Sequence, residues 1–100
     1  MKKDFNYKCY ELLKKVPRGK VVTYKEIAKA INSKGYRAVG NAMNHNKDLK
    51  NIHCYKVVRS DGRFGGYALG VKRKIGLLKK DGIEIVDGKI DLKKFGWKFR

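Results

Sequence analysis

Two short segments with helical apolar spacing, joined by a four-residue turn, place the tightest limit on the fold. The first begins at Thr23-Tyr24-Lys25-Glu26, a capping box in which the threonine hydroxyl accepts from the glutamate amide and the glutamate side chain reaches back. It ends near Ile31. The turn Asn32-Ser33-Lys34-Gly35 leads into a second helix from about Tyr36 to His45. Two helices around a glycine-containing turn predict a helix-turn-helix.

The second of these helices has two different faces. Its apolar positions predict a buried side, formed by Ala38, Val39, Ala42 and Met43. The opposite side carries Arg37, Gly40, Asn41 and Asn44. Small residues let a helix approach a groove closely, and arginine and asparagine can donate to bases or phosphates. Arg37 is also consistent with an ordinary solvated charge.

The net charge supports a polyanionic partner. It is +17 over 100 residues, which favours nucleic acid. A membrane surface is the rival, but no apolar run approaches the ~20 residues needed to span a bilayer. A lysine-rich thermophile surface is a third explanation. The length fits a single domain, 1–100, and a monomer. The start of the chain lacks a signal-peptide core, so we expect a cytoplasmic protein, nucleoid-associated if prokaryotic.

The remaining segments predict a mainly helical α+β domain with a winged-helix-like core. A helix is expected over about 5–15, with Cys9 in its apolar stripe, and another over 71–80, with Val71, Ile75 and Leu78 on one face. Asp87-Gly88 predicts a hairpin turn within 83–91. The aromatic, basic end (92–100) packs on that hairpin or, less favoured, contacts nucleic acid. The two cysteines suggest neither a disulfide framework nor a metal site, and no cofactor is expected.

A reactive thiol is suggested by the stretch from Ile52 to Gly62, which we expect to contain a strand. Cys54 stands beside His53, Tyr55 and Lys56, and nearby bases or positive charge lower a thiol pKa. The simpler interpretation is a small buried hydrophobe. The loop Gly65-Gly66-Tyr67-Ala68-Leu69-Gly70 suits close folding over a flat ligand, or is a surface turn.

Four segments together resemble the C-terminal domain of O6-alkylguanine-DNA alkyltransferases, over about residues 5 to 82. They are Val16-Pro17-Arg18-Gly19-Lys20-Val21-Val22-Thr23-Tyr24, Tyr36-Arg37-Ala38-Val39-Gly40-Asn41-Ala42-Met43, Cys54-Tyr55-Lys56-Val57-Val58-Arg59-Ser60-Asp61-Gly62, and Gly65-Gly66-Tyr67 with Leu77-Leu78. The family's N-terminal domain is expected to be absent, as in the short alkyltransferase-like proteins.

The resemblance implies roles for these residues. The helix from Tyr36 would enter the minor groove, with Arg37 filling the stack after a base is flipped and Tyr24 pressing on the 3′ phosphate. Ala38 and Gly40 would allow close approach, and Cys54 would accept the alkyl group. Asn46 would be the hinge before the active-site loop and Asp81 the orienting acid. The implied lesion pocket comprises Asn46, Val57, Tyr67, Ala68 and Lys74.

Three departures from the family weaken the activation of the thiol. The family's Pro-Cys-His-Arg is His53-Cys54-Tyr55-Lys56 here, so a tyrosine, with a reference pKa near ~10, replaces the histidine base. Asp81 replaces a glutamate, and Ala68 replaces a hydroxyl residue. A thiolate could still form if His53 acts as base, or if Lys56, Lys74 and the positive field lower the thiol pKa.

The favoured hypothesis is single-turnover transfer of an alkyl group from guanine in double-stranded DNA to Cys54. The alternative is an alkyltransferase-like protein that holds the flipped lesion for other repair proteins. A base glycosylase and a general DNA binder are ranked lower.

Overall fold

The computed structural model describes residues 5–32, 35–67 and 69–99, and it confirms the predicted α+β, mainly helical fold. The helices are α1 (Phe5–Leu13), α2 (Tyr24–Ala30), α3 (Tyr36–Asn44), α4 (Val71–Lys80) and α5 (Leu92–Phe95). Two short strands, β1 (Val22–Thr23) and β2 (Val57–Val58), pair in parallel, and a 3₁₀ helix covers Cys54–Lys56. Among the residues described, none of the helices is long and apolar enough to cross a lipid bilayer.

The helix-turn-helix forms as predicted, with one change at its start. The Thr23 hydroxyl accepts a hydrogen bond from the Glu26 amide at 3.0 Å, which caps α2. The expected return bond is replaced, because Oε2 of Glu26 accepts from the backbone amide of Phe99 at 3.2 Å. Glu26 therefore joins α2 to the C-terminal tail. The turn residues Ser33 and Lys34 lie outside the described part of the chain.

The main core lies where α1, α2 and α3 meet. Ile27, Val39 and Ala42 are fully buried there, whereas Ala38 is only half-buried. The hydroxyl of Tyr10 donates to the Ala42 carbonyl at 2.6 Å, which fastens α1 across α3. Cys9 is confirmed as a core residue, and burial raises its pKa to about 11.

The strand predicted around Cys54 is wrong over most of its length. Only β2 is extended, in register with β1 through Val22 opposite Val57. The preceding residues turn because the Ile52 carbonyl accepts from the Cys54 amide at 3.0 Å and from Nδ2 of Asn46 at 2.8 Å. A carbonyl satisfied in this way has no need of a neighbouring strand.

The C-terminal hairpin is reduced to its turn. Asp87 and Gly88 have φ of +53° and +74°, as a tight two-residue turn requires, but only one bridge joins Val86 to Lys89. The predicted pair of strands does not form, because the amide of Ile90 donates to the Gly62 carbonyl instead, at 2.9 Å.

The tail packs on two clusters rather than on the hairpin alone. Phe95 joins a second cluster with Ile83 and Ile90, as favoured from the sequence. Trp97 and Phe99 pack against the main core instead. The tail is held there because Val21 donates to the Phe95 carbonyl at 2.8 Å and its own carbonyl accepts from the Trp97 amide at 2.7 Å.

Helix α4 has the predicted bounds but a different buried face. Val71, expected to be buried, is 44% exposed. Leu78 is buried as expected, and the other fully buried side chain of α4 is that of Lys74.

Gly62 provides a test of this packing. It has φ of +88°, and an added Cβ would lie 2.6 Å from the Ile90 carbonyl oxygen. Gly88 has a similar φ of +74° with open space around it. We expect Gly88→Ala to lower the free energy of unfolding by about 1–2 kcal/mol for the backbone conformation alone. Gly62→Ala should lower it by roughly 1–3 kcal/mol more, because backbone must move. Urea denaturation measures the free energy of unfolding of both variants. An equal loss in Gly62→Ala and Gly88→Ala would contradict the close approach of Gly62 to Ile90.

Candidate functional site

Cys54 lies at the start of the 3₁₀ helix with its side chain in the main core. It is 3% exposed, and this burial raises the pKa of its thiol above the ordinary value. A hydrogen bond from the Asn46 side chain and the positive charge of Lys74 act in the opposite direction but are smaller. In the free protein, the positive field therefore does not bring the thiol pKa below its ordinary value.

Asn46 is held in place before this turn. Its Nδ2 donates to the Ile52 carbonyl at 2.8 Å, and its Oδ1 accepts from the Asp48 amide at 2.8 Å. The buried amide fixes the path of the chain into Cys54. The role of Asn46 as a hinge stays a prediction.

Lys74 is the buried cation of the site. Its Nζ donates to three carbonyls, those of Val57 at 2.6 Å, Phe64 at 2.5 Å and Gly66 at 2.9 Å. Burial lowers its pKa to about 8, and the negative charge of a Cys54 thiolate would raise it. The ammonium thus joins α4, β2 and the glycine-rich loop beside the thiol.

Two tyrosines complete the surroundings of Cys54. The ring of Tyr24 lies 5.9 Å from Nζ of Lys74. Burial first, and then the charge of Cys54, raise the pKa of both Tyr24 and Tyr67. Gly65 lets the loop close on Tyr24, since an added Cβ would lie 2.9 Å from the tyrosine hydroxyl. The predicted pocket residues other than Ala68, which lies outside the described residues, therefore gather around one thiol.

Both candidate bases make contacts other than with Cys54. His53 is exposed, and its Nε2 lies 2.9 Å from the Lys50 carbonyl, to which it must donate. Tyr55 stacks at a tilt on His53, with ring centroids 5.5 Å apart. Burial, followed by the charge of Asp81, raises the pKa of Tyr55, so its hydroxyl stays protonated at neutral pH.

Lys56 and Asp81 are used to hold the fold together. Nζ of Lys56 donates to the carbonyls of Val16 and Pro17, each at 3.2 Å, and lies 3.8 Å from Oδ2 of Asp81. Burial lowers the pKa of Lys56. Asp81 also accepts from the Gly19 amide at 3.1 Å and pairs with Arg18 at 3.4 Å. Of the two lysines expected to act on the thiol, Lys74 is the one whose charge reaches it.

Arg18 was not predicted as a partner of Asp81, because the two residues are far apart in the chain and no local pattern joins them. A cavity of about 390 Å³ lies against this ion pair and is also lined by Lys50, His53 and Tyr55. Within the described residues, no group of three or more His, Cys, Asp or Glu side chains could hold a metal ion.

The outer face of α3 is a different surface from the pocket around Cys54. Arg37, Asn41 and Asn44 are exposed along it, on the side opposite the buried Val39. Gly40 has no other atom within 4 Å of where a Cβ would be, so the surface there is low and open. Of the predicted DNA-contacting residues of α3, Arg37, Gly40, Asn41 and Asn44 therefore share one surface, whereas Ala38 is half-buried.

Comparisons with known proteins place this geometry in a family. The model of the DNA-binding domain of 6-O-methylguanine DNA methyltransferase matches residues 4–83. A bifunctional methyltransferase/endonuclease of Picrophilus torridus is 49% identical over 87 residues, which are 86% of this chain and 29% of that protein. A methylated-DNA–protein-cysteine methyltransferase of Saccharolobus solfataricus is 41% identical over 81 residues, or 81% of this chain and 52% of that one. The chain thus spans about half the length, or less, of these relatives.

Solved structures share the fold. S. pombe Atl1, in complex with damaged DNA containing O6-carboxymethylguanine, superposes with a TM-score of 0.84 at 29% identity, covering 95% of both chains. The O6-methylguanine-DNA methyltransferase of Pyrococcus kodakaraensis gives 0.72 at 44% identity, covering 79% of this chain and 46% of that one. Because the family model covers most of its length, this chain belongs to the family of O6-alkylguanine-DNA alkyltransferases and alkyltransferase-like proteins, through their DNA-binding domain.

Proposed function

We propose that this chain binds double-stranded DNA through α3, receives a flipped O6-alkylguanine beside Cys54, and accepts the alkyl group on the Cys54 sulfur. The observation that carries the proposal is the thiol itself, buried between two tyrosines and within reach of the positive charge of Lys74. A positive group that favours the thiolate is what an alkyl-accepting cysteine needs.

The transfer is a balanced displacement. The Cys54 sulfur attacks the alkyl carbon on O6, the S–C bond forms, and the C–O6 bond breaks with its electron pair going to the base. The thiol proton ends on the base, which restores guanine. Because the thioether is stable, each protein molecule reacts once. Lys74 also faces the negative charge that develops on the departing base, which is where a fixed cation lowers the barrier.

The DNA-facing part of the proposal depends on α3. A base must leave the duplex before its exocyclic oxygen is accessible, and an inserted side chain then fills the gap. Arg37 is exposed at the start of α3, and the small residues Ala38 and Gly40 lie next to it. The net charge of +17 supplies the attraction for phosphates. A monomer acting in the cytoplasm remains the expectation.

A second candidate is a non-transferring lesion-binding protein, which would hold the flipped base for other repair proteins. It is favoured by the raised pKa of Cys54, by the bond of His53 Nε2 to the Lys50 carbonyl, and by the raised pKa of Tyr55. Atl1, which matches over 95% of both chains, is solved in complex with damaged DNA containing O6-carboxymethylguanine.

The first prediction separates the two candidates. After incubation with a duplex containing O6-methylguanine, intact-protein mass spectrometry should show the gain of one methyl group in the parent and in Cys9→Ala. Cys54→Ala should show none, because it lacks the acceptor. The parent staying unmodified while it binds the lesion selectively would favour the second candidate.

The pH dependence provides a second prediction. Because burial raises the pKa of Cys54 above its ordinary value near ~8.5, the thiolate fraction and the single-turnover rate should increase about tenfold per pH unit from pH 6 to 8. The increase should become shallower above pH 8, where Lys74 loses its proton. Rapid-quench assays measure the rate. A flat profile from pH 6 to 8 would mean that the thiolate already forms at neutral pH.

A third prediction concerns Arg37. We expect Arg37→Ala to weaken binding to a lesion duplex by about tenfold or more, and binding to undamaged duplex by much less, because it removes the group that fills the gap. The matched control is Lys79→Ala, which removes an exposed charge from α4. Fluorescence anisotropy on both duplexes measures the difference. An equal loss of affinity for the lesion duplex and the undamaged duplex would mean that Arg37 contacts only phosphates.

A further inference from the structure

A large groove lies away from the thiol pocket and from α3. It has a volume of about 1360 Å³ and runs between the C-terminal tail, the end of α1, and α2. The half-buried side chains of Leu12, Leu92, Trp97 and Phe99 contribute apolar surface to it. Within the described residues, none from α3 lines this groove, which we call the tail groove. It is therefore distinct from the surfaces proposed for DNA.

The tail groove is strongly basic. Among the residues described, its lining includes the five lysines Lys15, Lys20, Lys29, Lys93 and Lys98. The acid in the same lining is Glu26, whose carboxylate already accepts from the Phe99 amide at 3.2 Å. The positive charge of the groove is thus not neutralised from within.

A donor of the tail groove is also unsatisfied. The indole Nε1 of Trp97 is buried and has no hydrogen-bond partner among the described residues. A buried N–H without an acceptor is unfavourable. An oxygen that entered beside the indole would relieve this cost.

We propose that the tail groove binds an acidic peptide segment of another protein. Carboxylates of such a segment would face the lysines, its apolar side chains would cover the half-buried Leu12 and Leu92, and an oxygen would accept from Trp97. Apolar surface between charged edges is typical of protein interfaces. Single-stranded nucleic acid fits less well, because the tail aromatics that would stack its bases pack against the main core instead.

The single tryptophan of the chain makes the test direct. The full chain is titrated with a synthetic peptide of alternating glutamate and leucine while Trp97 fluorescence is recorded. We expect a saturable change in emission, absent with a glutamine-leucine peptide. The double variant Lys15→Glu/Lys98→Glu should weaken binding by about tenfold or more, because attraction becomes repulsion. The control Lys8→Glu/Lys79→Glu makes the same charge change at exposed lysines outside the tail groove and should stay within about threefold of the parent.

Several results would overturn the proposal: no saturable change, an equal loss in both variants, or an equal response to the glutamine-leucine peptide. An oligonucleotide that changes Trp97 emission in the parent but not in Lys15→Glu/Lys98→Glu would assign the groove to nucleic acid instead. Anisotropy on a lesion duplex is measured for both variants. We expect both variants to bind the lesion duplex with equal affinity. Failure of peptide binding in the tail groove is then distinguishable from failure of the proposed function.

Discussion

The burial of Lys74 is the interaction on which the site depends. An ammonium group removed from water must be compensated, and here three backbone carbonyls do so, from β2, from Phe64 and from Gly66. Carbonyls solvate the charge without cancelling it. The hydrogen bonds therefore have two consequences at once: they fix the glycine-rich loop against α4, and they leave beside Cys54 a positive charge that lowers the thiol pKa, although burial raises it by more.

The second polar contact, between Lys56 and Asp81, has a different character. Here the charges are opposite, and Asp81 also accepts from Gly19 and pairs with Arg18. This network joins the 3₁₀ helix, the turn after α1 and the end of α4. An aspartate committed to three partners is poorly placed to orient a base, and the position next to Cys54 holds Tyr55, which is no base at neutral pH. The replacement of the family histidine and the use of Asp81 for structure are thus mutually consistent.

The sequence predicted the elements whose signals are local and missed those decided by distant groups. The capping of α2, the bounds of α4 and the buried side of α3 follow from spacing and turn residues. The strand around Cys54 was wrong because the Asn46 side chain captures the Ile52 carbonyl. Lys74 was placed in the pocket only by resemblance, since periodicity treats every lysine as polar. The capture of Glu26 by Phe99 joins residues 73 positions apart, which no local pattern predicts.

Under the proposed function, the raised pKa of Cys54 would lower the rate of transfer without preventing it. With a thiol pKa above its ordinary value, only a small minority of the Cys54 thiols is ionised at neutral pH. Under the proposed function, transfer would then be slow, but it would be irreversible and would need to occur only once. Repair of a lesion would depend on how long the lesion stays bound compared with the time that transfer takes. Transfer and lesion recognition would therefore be two limits of one kinetic scheme, and strong binding by α3 would shift a weakly activated Cys54 toward repair.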